Sequence, residues 1–142
     1  MGTRRKSREA ALQFLYQNDY VKVAELGDDA ELADNFTLFC SLYQVNKKAR
    51  VYAFSLVEGI LGRIEEIDSV IEEAASNWRL PRIAPTDRNL MRIATFEMLH
   101  MDDVPPQVAI NEAVEIAKRF AGDESPRFIN GVLDAVRASI QK

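Results

Sequence analysis

The sequence predicts an all-α fold of about seven helices. Apolar residues recur at three-to-four spacing along most segments, the signature of one buried helix face. β-branched residues are scattered, and no run of four to eight positions alternates cleanly enough to read as a strand. Pro106 and Pro126 stand where helices would begin, the position at which a missing N–H costs nothing.

The first helix is expected from about Arg4 to Asn18. Ala11, Leu12, Phe14, Leu15 and Tyr16 give it a wide apolar face, so it should touch neighbours on two sides. Residues 20–45 are the least patterned stretch. Gly27-Asp28-Asp29 reads as a turn, and a second helix should cover about 30–44. Asn46 is a good N-cap for a third, whose stripe is Tyr52, Leu56, Val57, Ile60, Leu61 and Ile64, continuing through Ile67, Ile71 and Ala74. Gly59 and Gly62 predict a break near 62–65. Trp78 to Pro85 reads as a loop. Thr86 or Asp87 should start a helix that is apolar nearly all round, from Leu90 to Leu99, and therefore buried. Pro105 and Pro106 restart the chain into the stripe Ala109, Ala113, Ile116, Ala117 and Phe120, with Gly122 as its C-cap. Ser125 should cap the last helix, which buries Ile129, Val132, Leu133, Val136 and Ile140.

Composition narrows the function classes. With 142 residues, 47% hydrophobic and 28% charged, the chain is one globular domain or two small helical halves. No apolar run approaches a membrane span, and the N-terminus lacks the apolar core of a signal peptide. Cys40 and His100 each stand alone, which excludes an intramolecular disulfide and leaves no metal-ligand spacing. A cytoplasmic location follows most simply. Neither a GxxxxGK[ST] nor a GxGxxG motif is present, so no nucleotide cofactor is expected. The net charge of −4 conceals a division: residues 1–8 hold four cations and no acid, while residues 9–142 carry 14 cations and 22 acids. A nucleic-acid binder needs a basic patch, not a basic whole, and Arg4, Arg5, Lys6 and Arg8 form one. Positive charge at a helix N-terminus costs about 0.3–1 kcal/mol per residue, so local stability does not account for these four.

Three segments together resemble the NusB family of bacterial transcription factors. They are RRKSREAALQFLYQ (4–17), the stretch from Trp78 through DRNLMRIATFEML (87–99), and VAINEAVEIAKRF (108–120) followed by ESPRFINGVLDAV (124–136). The likeness extends loosely over residues 1–142 and is weakest at 20–45. It implies a NusB-like fold, all-α, with helices in two small packed bundles, here roughly 1–76 and 77–142. It implies binding, not catalysis: antitermination through a boxA-type single-stranded RNA held together with NusE, a small-subunit ribosomal protein, in support of ribosomal RNA transcription. The RNA polymerase elongation complex with other Nus factors would be the larger partner. A homodimer is also possible in such a family, and a helical adaptor or homodimer without RNA affinity is the alternative reading. No cofactor or metal is implied, and no motif supports an enzyme.

On this resemblance the RNA-binding residues would be Arg4, Arg5, Lys6, Arg8, Tyr16, Glu124 and Phe128. By spacing alone Tyr16 is a half-buried core aromatic; the resemblance adds a ring at the patch edge that stacks on an unpaired base. Phe128 falls one position before the Ile129–Val132–Val136 stripe, where a ring can pack and stack at once. Glu124 either complements the dipole of the last helix or accepts hydrogen bonds from base amino groups, and the adjacent Asp123 leaves the choice of carboxylate open. Asp87 is explained as a first-turn acid, while the resemblance also places it near the RNA and NusE surfaces. Glu97 reads as a buried structural acceptor. Asn130 and Gly131 read as structural, the glycine permitting close helix approach and the asparagine serving buried backbone groups.

Overall fold

A computed structural model describes residues 2–19, 27–76 and 79–140. Trp78 and the beginning of the weakly patterned stretch, 20–26, lie outside them. The described residues form seven α-helices and one 3-10 turn, without strands. They divide into two compact units, 1–62 and 63–142.

The first unit contains α1 (Thr3–Gln17), α2 (Asp29–Leu42) and α3 (Lys47–Gly62). The expected turn is real: Gly27 takes a φ of 90°, in the region that favours glycine, and the Asp28 side chain caps α2 by accepting from the Glu31 N–H at 2.9 Å. Asn46 caps α3 as expected, its Oδ1 accepting from the Lys48 N–H at 2.9 Å. α1 packs along α3 through small residues: Ala11, Ala49 and Ala53 are all fully buried. The Ser7 hydroxyl donates to the Ala49 carbonyl at 2.7 Å and fixes the register of the two helices. Phe14 meets Phe36 and Phe39 edge-on at 5.3 and 5.4 Å, and Phe54 joins Phe36 at 5.5 Å, which closes the core against α2.

The second unit contains α4 (Ile64–Ala75), the 3-10 turn Leu80–Arg82, α5 (Pro85–His100), α6 (Pro106–Phe120) and α7 (Ser125–Ile140). The break predicted near 62–65 falls at Arg63. The expected boundary at 76/77 differs from the observed one because α4 packs on α5 and α7. Arg92 of α5 grips Asp68 of α4 with two bonds of 2.8 and 2.9 Å, and His100 meets Glu66 at 2.9 Å. α5 is the most buried helix, with Leu90, Met91, Ile93, Ala94, Phe96 and Glu97 all covered. Ile67, Ile71, Ile110, Ile116, Ile129 and Leu133 complete this core.

Four expectations need correction. α5 begins at Pro85, because proline's fixed φ suits a first helical position and needs no side-chain cap. α6 ends at Phe120, and the capping residue Ala121 takes extended backbone (φ −124°, ψ 179°), so Gly122 provides no left-handed cap. Ser125 is already helical, and its hydroxyl donates to Asp87 instead of capping α7. Asn130 and Gly131 are both exposed, and a Cβ at Gly131 would meet nothing within 4 Å, so this pair brings no helices together.

Candidate nucleic-acid interface

In the first unit the cationic head is the opening of α1. Gly2 precedes it without a side-chain cap, and the first turn holds no acid to complement the positive end of the helix dipole. Arg4 and Lys6 are exposed and Arg5 is half-buried. Arg8 is different: it is only 4% exposed. Its position explains this, since Arg8, Ala11 and Leu15 follow one another at helical spacing along the covered face of α1. The Arg4 guanidinium carbon lies 4.1 Å from the centre of the Tyr52 ring on α3, and that of Arg8 lies 5.8 Å from it. Tyr52, read from the sequence as one more stripe residue, therefore belongs to this basic cluster. Tyr16 in the last turn of α1 is 51% exposed, which rejects the core reading of its ring.

In the second unit the starts of α5 and α7 meet at a cleft of about 350 Å³, lined by Arg82, Ile83, Ala84, Asp87, Glu124, Ser125, Arg127 and Phe128. Asp87, Glu124 and Phe128, singled out separately in the sequence, are brought together here. The Ser125 hydroxyl donates to Asp87 Oδ2 at 3.0 Å and ties the two helix starts. Asp87 Oδ1 is buried without a hydrogen-bond partner. Burial pushes the Asp87 carboxyl above the usual aspartate range, and the Ser125 hydrogen bond offsets part of that rise. Glu124 is exposed and Phe128 half-buried. Glu124, not Asp123, is the carboxylate that lines the cleft.

The chemistry of the cleft is that of a pocket for a flat, polar, partly anionic group. It has an aromatic ring at Phe128, an exposed carboxylate at Glu124 able to accept from amino groups, a buried carboxylate at Asp87, and cations at Arg82 and Arg127. These two arginines were missed in the sequence, where they lie 45 residues apart in unrelated segments. Their only signal was proximity to the prolines and the serine that start α5 and α7. Among the described residues no group of three or more His, Cys, Asp or Glu could hold a metal ion. Cys40 is buried, and burial pushes its thiol up despite the nearby Arg50. No helix among the described residues is long and apolar enough to cross a membrane.

The NusB family model matches residues 5–138. The chain is 62% identical to the transcription antitermination protein NusB of Desulfotalea psychrophila, over the whole of both chains. It is 40% identical to the protein of the same name from Geotalea daltonii, over 99% of this chain and 97% of that one. Among solved structures, T. maritima NusB gives a TM-score of 0.77 at 32% identity, covering 95% of this chain and 90% of that chain. A crystal structure of antitermination factors NusB and NusE in complex with dsRNA gives 0.80 at 28% identity, covering 98% of each chain.

Proposed function

Because this chain belongs to the NusB family of transcription antitermination proteins, we propose that it binds RNA together with NusE as an antitermination factor, and that it catalyses no reaction. In the finer reading the RNA is a boxA-type single strand, the assembly joins the RNA polymerase elongation complex with other Nus factors, and the process served is ribosomal RNA transcription. The NusB structure with NusE and double-stranded RNA supports both partners. The observation that carries the reading is the cleft at Asp87, Glu124 and Phe128, which gathers an aromatic ring, an exposed carboxylate and a second, buried carboxylate with one unsatisfied oxygen. An unpaired base offers what such a site needs, amino donors on its edge and a π face. The head of α1, with Arg4 and Lys6 exposed and Tyr16 presented at its far end, supplies phosphate contacts and a second stacking surface.

The test is a titration of boxA-like single-stranded RNA, and of a duplex of the same sequence, at several salt concentrations. Changing Arg4, Arg5 and Lys6 to Ala should flatten the log–log salt slope by about 2, at about 0.7 per lost contact on a single strand. Phe128→Leu should cost about 1–3 kcal/mol of RNA binding and only about 1 kcal/mol of stability. An unchanged slope removes the head from the site, and normal RNA binding by a folded Phe128→Leu chain makes that ring scaffold. Tighter binding of the duplex would overturn the single-strand reading.

A further inference from the structure

We infer that Tyr52 is a positioning residue for RNA binding: its ring holds the guanidiniums of Arg4 and Arg8 so that Arg4 is presented ready for a phosphate. The inference rests on the reading that the head of α1 meets RNA. Arg4 and Arg8 are one helical turn apart, the spacing at which like charges repel. Both nonetheless lie near one ring, at 4.1 and 5.8 Å from its centre. The negative π face of tyrosine attracts each cation and offsets that repulsion.

The ring's place is itself fixed. Tyr52 follows Ala49 by three residues on α3, and the Ala49 carbonyl accepts the buried 2.7 Å bond from Ser7, which lies between the two arginines in sequence. Fully buried Ala49 and Ala53 flank the tyrosine in sequence and let the helices approach closely. The buried positions of α3 are all aliphatic, Ala49, Ala53, Leu56, Val57 and Ile60, and Tyr52 is half-buried beside them. An aliphatic residue would serve packing at position 52 equally well; only an aromatic one serves two guanidiniums. An arginine held on a ring before the ligand arrives has already lost much of the rotamer freedom that binding would otherwise cost.

The experiment uses the full chain and a boxA-like single-stranded RNA, with Tyr52→Phe and Tyr52→Leu each made with Arg4 intact and with Arg4→Ala. Phe keeps the π face and should bind as the parent does. Leu should weaken binding about two- to fivefold, the worth of one cation–π contact, and that loss should vanish where Arg4 is already Ala. A merely structural tyrosine would weaken both backgrounds equally, and that result, or no loss at all, overturns the inference. Arg4→Ala alone leaving affinity intact also overturns it, through its premise, and is distinguished because the tyrosine plays no part in that comparison. Should Tyr52→Leu fail to fold, NMR of the free parent chain decides: the Arg4 side-chain protons should be shifted upfield by the ring, and unshifted values would refute the stacking.

Discussion

Asp87 carries a cost that a structural acid at a helix start would not need. Its place in the first turn of α5 is favourable for a carboxylate, and Ser125 gives it one donor, yet Oδ1 remains buried without a partner. The raised folded pKa has a definite consequence for stability. Between the ordinary aspartate value of about 3.9 and the raised value, the folded chain binds more proton than the unfolded chain. Stability therefore falls as pH rises through that interval and stays lower above it. Asp87→Asn removes the charge, so the variant should melt above the parent at pH 7 and the gap should close below about pH 4. Melting curves across this range check it, and a gap independent of pH would sink the explanation. The same variant should bind RNA more weakly, by about 1.5–3 kcal/mol, if the Asp87 carboxylate accepts from a base amino group in the complex. Gain in stability with loss of binding is the pattern expected of a group held unsatisfied for its ligand.

At the scale of elements, α7 offers a cleaner case. Gly131 sits in the interior of a helix, is exposed, and has open space where a Cβ would go. Gly131→Ala should therefore stabilise the chain by about 0.5–1 kcal/mol. That corresponds to a melting temperature a few degrees higher at this chain length. A destabilised variant would mean the helix is not as open there as described. The sequence misled at this position because a glycine inside an apolar run looks the same whether it packs or faces solvent. The stripes of α3, α5, α6 and α7 were legible, except for Phe120, which is exposed at the end of α6, because each helix reports its own buried face through its own spacing. Even the burial of Arg8 was written there, at helical spacing from Ala11 and Leu15, although its charge argued for the surface. What periodicity does not report is which face meets which. Asp87 and Ser125 are 38 residues apart along the chain and bonded in the fold. Tyr52 and Arg4 are as remote in sequence, and no pattern local to either announces the contact. The ends of helices were also less legible than their faces, because a proline or serine near a start satisfies several neighbouring registers equally well.

For the whole molecule, the stripe from Tyr52 to Ala74 was assigned to one bundle in spite of its predicted break, whereas the two units divide at that break, at Arg63. The candidate contacts are divided as well, the cationic head and Tyr16 in one unit and the cleft in the other. Each set is small, and a chain whose net charge is −4 adds no general attraction for RNA. Three accessible cations and a few rings give modest affinity alone, so a second partner should be needed for tight binding. NusE should therefore strengthen RNA binding, by a factor of about 5–150 if the coupling is of ordinary size. Thermodynamic linkage then fixes the converse, because the two routes to the ternary complex begin and end at the same states. RNA must strengthen NusE binding by the same factor. Calorimetric titrations along all four edges of this cycle measure both factors independently. Equal factors well above one are the expected result; factors of one, with each ligand indifferent to the other, would reject a cooperative adaptor and leave two unrelated binding surfaces.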